Sequence, residues 1–520
     1  MKKPVGKIKI FRLILALVLF SVITFYFIDF AGLLPNHFHV LAHLQFVPAW
    51  ISGSVLGLVI VLIHVVLTLL FGRLYCAVLC PMGVYQDVVA WVSKRVGKKK
   101  KKYCYSRAKS ILRWSVVGVF IIFSGLGWTA VAGLTDPYSA YGRMAVHIFR
   151  PVYMAGNNLL ESIFTPFNNY TFYKTDIFVM SAFSFATAIV TMLIVGYLAW
   201  RHGRTYCNTF CPVGTALGLA SRFALFKIRI DRDKCTHCGL CAMKCKASCI
   251  DSQSQTVDAS RCVDCFNCLD ACSKGALKYS YRSKSHTNPK QTASGRPENT
   301  AKRRFLWAGL ATVTAGANVL AQQTKSLLAD DKKYTRQTPI APPGAVSSEH
   351  LLRHCTSCHL CISKCPSHVI KPSFLEYGIG GIMQPVMSYE KGFCNYHCSL
   401  CSEICPNGAL KPLTKEEKQL TQIGYVVFNP DICVVITNGT NCGACSEHCP
   451  TQAVKMLPYK DGLTLPSIDT SICVGCGGCE YICPVRPHTA IFVEGHAVQQ
   501  QAKAFEEEEK TEVTVEDFGF

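Results

Sequence analysis

Apolar residues gather in the first 230 positions into four stretches: Ile10 to Phe30, Ile51 to Phe71, Trp114 to Leu134 and Ile177 to Trp200. Each is long enough for a helix across a bilayer, which takes about 20 residues. The third and fourth contain no charged residue, and His64 is the one ionisable group in the second. Polar positions between them are biased toward cations. Lys2, Lys3, Lys7, Lys9 and Arg12 come at the start, Lys94, Arg95 and Lys98 through Lys102 between the second and third stretches, and Arg201, Arg204 and Arg222 after the fourth. Positive charge marks the cytoplasmic ends of membrane helices, so this pattern predicts the loops at 31–50 and 135–176 on the other, periplasmic side. A cleaved signal peptide is the alternative for the first stretch, but no small-residue cleavage site precedes Asp29, and an uncleaved anchor is expected.

The chain has 520 residues, room for three or four domains. Its 54 Lys and Arg against 33 Asp and Glu give a net charge of +21, yet only 17% of residues are charged and 50% are hydrophobic. That balance excludes an ordinary soluble protein. The cations sit beside the apolar stretches, so they are read as topology and no nucleic-acid partner is expected. Thirty cysteines, many in Cys-x-x-Cys spacing, suit metal ligation better than a secreted disulfide framework.

One motif occurs twice. Gly72-Arg73-Leu74-Tyr75-Cys76 and Cys80-Pro81-Met82-Gly83 return as Gly203-Arg204-Thr205-Tyr206-Cys207 and Cys211-Pro212-Val213-Gly214, each after an apolar stretch. Thiols spaced i, i+4 share a helix face, so two copies would assemble four thiols at the cytoplasmic surface. A redox or metal-ligand role for Cys76, Cys80, Cys207 and Cys211 is expected; small residues packing helix ends are the alternative.

Six further runs of four cysteines follow. Cys235, Cys238, Cys241, Cys245 and Cys262, Cys265, Cys268, Cys272 show bacterial two-cluster ferredoxin spacing. There the fourth cysteine of each run ligates the other run's cluster. One cluster should use Cys235, Cys238, Cys241 and Cys272; the other should use Cys262, Cys265, Cys268 and Cys245. The remaining runs are Cys355, Cys358, Cys361, Cys365; Cys394, Cys398, Cys401, Cys405; Cys433, Cys442, Cys445, Cys449; and Cys473, Cys476, Cys479, Cys483. Each ends in Cys-Pro. Four thiolates also suit zinc, but the repeated form with an exchanged fourth ligand favours [4Fe-4S] clusters, about six of them. Cys104 and Cys249 are left over as bystanders.

The predicted organisation is an α-helical membrane domain at 1–225 and an α+β two-cluster ferredoxin domain at 226–280. A polar linker at 281–302 leads to a twin-arginine-like segment at 303–323, a four-cluster ferredoxin domain at 324–495 and an acidic tail at 496–520. Arg303-Arg304-Phe305-Leu306 and the modest apolar run to Ala321 read as an export signal. That run would be a fifth span, with a short cytoplasmic helix as the alternative.

These motifs make the chain resemble a fusion of NapH-type and NapG-type proteins, membrane iron-sulfur components of periplasmic nitrate reductase systems. Residues 1–285 look like the NapH type and 301–495 the NapG type. The resemblance implies quinol oxidation at the membrane, with electrons leaving through the clusters for a periplasmic reductase or cytochrome. The chain would then be a quinol dehydrogenase-type component of the bacterial inner membrane, in contact with lipid and the quinone pool. Similar membrane modules in CcoG/FixG-type proteins keep a redox, metal-handling or maturation role as the alternative, beside a relay anchor. In comparable four-cluster proteins the outer runs pair and the inner runs pair. By that resemblance Cys483 completes the set of Cys355, Cys358 and Cys361, and Cys365 that of Cys473, Cys476 and Cys479. Likewise Cys449 joins Cys394, Cys398 and Cys401, and Cys405 joins Cys433, Cys442 and Cys445.

Quinol oxidation releases protons, so its site wants an acceptor near the membrane edge, with histidine favoured. His64 inside the second stretch is the leading candidate. Asp29, His37, His39 and His43 in the first outer loop, and Asp136, Tyr138, Tyr141 and Arg143 in the second, are candidates that ordinary solvated loops would equally contain.

Overall fold

The computed structural model describes residues 4–96, 103–177, 180–281 and 336–504. The linker from residue 282, the twin-arginine segment, the expected fifth span and the end of the acidic tail lie outside the described residues.

Two described helices are long and apolar enough to cross a bilayer: Gly6–Ile28, within the 25-residue helix Pro4–Ile28, and Ala182–His202, with 21 residues. Val55–Phe71 and Ser110–Gly125 are apolar but shorter, at 17 and 16 residues. The second expected span is broken at its start because Gly53 takes a left-handed conformation (φ 61°) and ends the helix Phe46–Ser52. Ser54 then caps the next helix by accepting from the Gly57 amide at 3.0 Å. The third ends early, at Gly125; Gly127 (φ 77°) turns the chain into a short helix at Thr129–Gly133. Apolar side chains face outward along these helices, among them Phe11, Ile14, Leu58, Leu62, Ile121, Leu193 and Ile194.

The segment at 135–176, expected to be an outer loop, in part folds inward. Asp136 caps Pro137–Met144 by accepting from the Ser139 amide at 2.9 Å, and every residue of that helix is buried. A π-helical turn, Ala145–Phe149, leads into Arg150–Phe164.

Two ferredoxin-like bodies flank the helices. In the first, Phe226–Ile230 pairs antiparallel with Leu277–Tyr281, and Ile250–Asp251 with Thr256–Val257. It meets the start of the first helix through Lys9 and Asp270 at 2.6 Å. It also meets the ends of two others, where the Arg73 amide donates to Asp264 at 2.9 Å and the Arg204 amide to the Lys246 carbonyl at 2.8 Å. The second body, 336–504, is tied by the antiparallel pair Thr421–Phe428 and Ile491–Gln501. It meets the far end of the first helix, where Lys364 pairs with Asp29 at 2.9 Å. Around that contact Thr129 donates to the Cys355 carbonyl at 2.9 Å, Arg143 to the Ser357 carbonyl at 3.1 Å, and His147 bonds His359 at 2.8 Å. Lys9 and Asp29 are twenty residues apart on the chain, roughly 30 Å at helical rise. A glycine at 133 or 142 is required here, since a Cβ would strike the carbonyl of Thr356 or of Cys358 respectively.

Candidate metal centres

Four of the six cysteine runs share one backbone device. The residues on either side of the second cysteine are left-handed: His237 and Gly239, Asp264 and Phe266, Ser357 and His359, Gly475 and Gly477. Five of these eight carry side chains that disfavour such a φ. The paired left-handed turns coil the loop about its three cysteines, and a short helix such as Leu240–Lys244 or Leu360–Lys364 begins at once behind it.

In the first body Cys235, Cys238, Cys241 and Cys272 line one pocket. Cys268 has Cys265, Cys262 and Cys245 as its charge neighbours. Cys249 is no remote bystander: its sulfur lies 3.5 Å from that of Cys245, buried, and its hydrogen bond pulls the Cys245 thiol down.

The second body departs from the expected pairing. Cys361 lies among Cys355, Cys358 and Cys405, where Cys483 was expected. Cys401 lies among Cys394, Cys398 and Cys365, where Cys449 was expected. Cys433, Cys442 and Cys445 share a pocket with Cys483 instead of Cys405. Cys479 neighbours Cys476, Cys473 and Cys449 instead of Cys365. Sequential runs therefore exchange fourth cysteines, first with second and third with fourth. The reason is packing: helix Leu360–Lys364 lies against Leu400–Glu403, and Ala444–Glu447 against Gly478–Ile482, so each fourth cysteine falls beside the adjacent run.

The sets also follow one another in space. Cys361 neighbours Cys401, the Cys394 amide donates to the Cys476 carbonyl at 2.9 Å, and Cys479 neighbours Cys445. In the first body Cys268 neighbours Cys241.

The duplicated motif converges. Cys76, Cys80, Cys207 and Cys211 are all 2–3% exposed and lie in one buried core with Tyr138, Cys358 and Leu360. The copies clasp each other reciprocally: Arg73 donates to the Cys207 carbonyl at 3.3 Å, and Arg204 to the Cys76 carbonyl at 2.6 Å. A side chain on Gly83 would collide with the Cys76 carbonyl and one on Gly214 with the Cys207 carbonyl, so both glycines are needed for the approach. Gln86 donates to the Cys207 sulfur at 3.0 Å and Arg73 lies 3.6 Å from the Cys76 sulfur. Burial, then neighbouring cysteines, pushes the Cys80 and Cys211 thiols well up.

His64 is buried against protein, its ring 4.9 Å from that of Tyr75 and its Nδ1 2.7 Å from the Ile60 carbonyl. His37 is exposed, while the His39 and His43 rings meet edge to face at 5.4 Å. Asp136, Tyr138, Tyr141 and Arg143, candidates that solvated loops would equally contain, are all buried: Asp136, Tyr138 and Arg143 beside the second body, and Tyr141 against Thr24 and Phe20 of the first helix. Arg73 and Arg204, whose place inside both copies of the motif already put positive charge near the thiols, lie against them; Gln86, which donates to the Cys207 sulfur, is the partner that sequence reasoning missed.

The donor sets fit iron-sulfur clusters: four thiols each, three from one coiled loop and the fourth from a neighbouring run. Residues 54–99 and 180–231 match the family model described as "4Fe-4S binding domain", and 393–453 and 438–486 the one described as "4Fe-4S dicluster domain". The ferredoxin-type protein NapH of Haemophilus influenzae is 24% identical over 43% of this chain and 67% of its own length. NapH of Escherichia coli K12 is 25% identical over 43% and 67%, and the ferredoxin-type protein NapF of the same organism 29% over 30% and 87%. The expected NapG-type fusion is not shown by these matches. No solved structure matches. The chain is an iron-sulfur electron-transfer protein of ferredoxin type, distantly related to the NapH and NapF proteins.

Proposed function

We propose that the chain is a multi-pass inner-membrane conduit that takes electrons from the quinone pool and delivers them to a periplasmic reductase or cytochrome. The observation that carries this reading is the succession of cysteine sets at both ends of the helical body, with the four motif cysteines between them. Bound at the six runs, [4Fe-4S] clusters supply one-electron storage and transfer.

The residues of the chain do the rest. The coiled loops present thiolates, and the apolar cores around Val263 and Leu269, and around Ile362 and Ile423, exclude water from them. The outward apolar faces of the helices suit lipid. Lys9, Arg12, Lys94 and Arg95 mark the first body's side as cytoplasmic, which puts the second body in the periplasm. Its export requires the segment around Arg303-Arg304. His64, enclosed beside Tyr75 at the membrane level, is the proposed proton acceptor at the quinol site.

The test is reduction of the purified full chain, in lipid nanodiscs and without oxygen, by a short-chain quinol. Bleaching of the iron-sulfur absorbance supports the reading. Failure of every quinol to bleach a sample that dithionite does bleach overturns it.

A further inference from the structure

The ground around the duplicated motif carries more positive charge than its carboxylates answer. Arg73, Arg204, Arg12 and Lys246 are all less than 10% exposed. Asp87 takes three of them: Arg204 at 2.6 Å, Lys246 at 2.7 Å and Arg12 at 3.9 Å. Asp264 is the other buried carboxylate here, and it accepts from the Arg73 amide instead of its guanidinium. The Arg73 guanidinium reaches only neutral acceptors, namely Asn208 at 2.8 Å, the Ser260 carbonyl at 3.2 Å and the Cys207 carbonyl, besides the Cys76 sulfur. Four cations against two carboxylates leave two positive charges, while Arg113 beyond Arg73 has Asp258 as a carboxylate neighbour, shared with Arg261 at 2.6 Å. Arg73 Nε, Arg204 Nη2 and Gln86 Oε1 are buried without a partner.

Unanswered buried charge is costly, so the pocket calls for a buried anion. The atoms that face the excess charge are four sulfurs. Four protonated thiols do not supply that charge. Four thiolates around an oxidised iron-sulfur core do: four negative charges on sulfur and a core charge of two positive leave a dianion. We infer that Cys76, Cys80, Cys207 and Cys211 together ligate a seventh iron-sulfur centre, two thiolates from each copy of the repeat, with Arg73 and Arg204 as its buried counter-ions.

Its place in the fold gives it a task, a point that rests on the conduit reading above. On one flank Asn208 donates to the Ala247 carbonyl at 3.3 Å and Arg73 to Ser260, both in the first body beside Cys245, Cys249 and Cys262. On the other flank Tyr206 donates to the Thr135 carbonyl at 3.2 Å, next to Asp136 and Tyr138, which border Cys358 of the second body. A centre here is the stepping stone between the two bodies. One electron arrives as a carrier on one flank is oxidised and one leaves as a carrier on the other is reduced; no bond forms and no proton moves.

The test compares iron and acid-labile sulfide per chain, with Mössbauer and EPR spectra, in the full-length protein and its Cys80→Ser/Cys211→Ser variant. Six cubanes account for about 24 iron atoms. The wild type should exceed that by about four if the centre is [4Fe-4S], or about two if it is [2Fe-2S]. The variant should lose that excess and one redox transition while keeping the other six. A folded variant with undiminished iron overturns the inference, as does stoichiometric zinc or a Cys76–Cys207 disulfide in the anaerobic wild type. If the variant does not fold, the wild-type count decides: iron no greater than six clusters hold rejects the seventh centre. Cys238→Ser and Cys476→Ser report on the six runs separately, so failure of the six-cluster reading shows there and not at the motif.

Discussion

Lys364→Met tests how the second body is held to the helices. Lys364 and Asp29 form an ion pair at 2.9 Å with side chains 7% and 0% exposed. Removing one partner of a buried pair typically costs 3–5 kcal/mol, because the other charge is stranded. Here the carboxylate keeps the amides of Leu33 at 3.0 Å and Leu34 at 3.1 Å, which puts the cost near the lower end, about 3 kcal/mol. That is a shift of roughly a hundredfold in the docking equilibrium. Asp29→Asn with Lys364→Met removes both charges and keeps an acceptor oxygen for one of the two amides, so it should restore docking to within about 1 kcal/mol, the net worth of the one hydrogen bond it loses. Hydrogen exchange of the full chain in nanodiscs reads this directly, through the amides at 129–147 and 352–360. Burial raises the Asp29 carboxyl, but the Lys364 hydrogen bond and the amides of Leu34 and Leu33 outweigh it and hold it below its ordinary value. The contact therefore contributes stability above the ordinary carboxylate range and loses it as pH falls through the depressed value. A single variant with wild-type protection, or a double variant as damaged as the single, would refute the argument.

Three other outcomes follow from the geometry. Cys405→Ser should remove the cluster held by Cys355, Cys358 and Cys361, and Cys483→Ser the one held by Cys433, Cys442 and Cys445; EPR of each variant beside Cys355→Ser and Cys433→Ser shows which signals vanish together. Burial, then Arg143 and Arg150, holds His147 down to about 4 from 6.5, and the part of that shift that burial against His359 contributes is lost on undocking. Docking should weaken as pH falls through that window, by at most about 3 kcal/mol, and hydrogen exchange across pH should show the slope flattened in His147→Asn. Gly142→Leu places a side chain against the Cys358 carbonyl and the Phe27 ring; cross-linking between cysteines introduced at exposed positions of Arg150–Phe164 and the second body should fall sharply, while the spectrum of the first body stays unchanged.

Much of this protein is legible in its residues alone. Cys-x-x-Cys-x-x-Cys places three ligands on one short loop whatever the rest of the chain does, and apolar runs with cationic ends declare helices and their orientation. The shared pattern Gly-Arg-x-Tyr-Cys-x3-Cys-Pro-x-Gly around Cys76/Cys80 and Cys207/Cys211 announced a duplicated site. Those signals are local, because backbone reach and helical period set them. The fourth cysteine of each run in the second body was decided by which helices pack together, and sequence spacing allows either pairing. Tertiary structure also broke the second and third spans at Gly53 and Gly127 and drew Asp136 through Met144 out of solvent into the docking face. It gathered Arg73, Arg204, Arg12 and Lys246 about four thiols. Charge in a sequence can be counted, but its cost depends on burial and on what lies within a few ångströms, and only the folded chain specifies both.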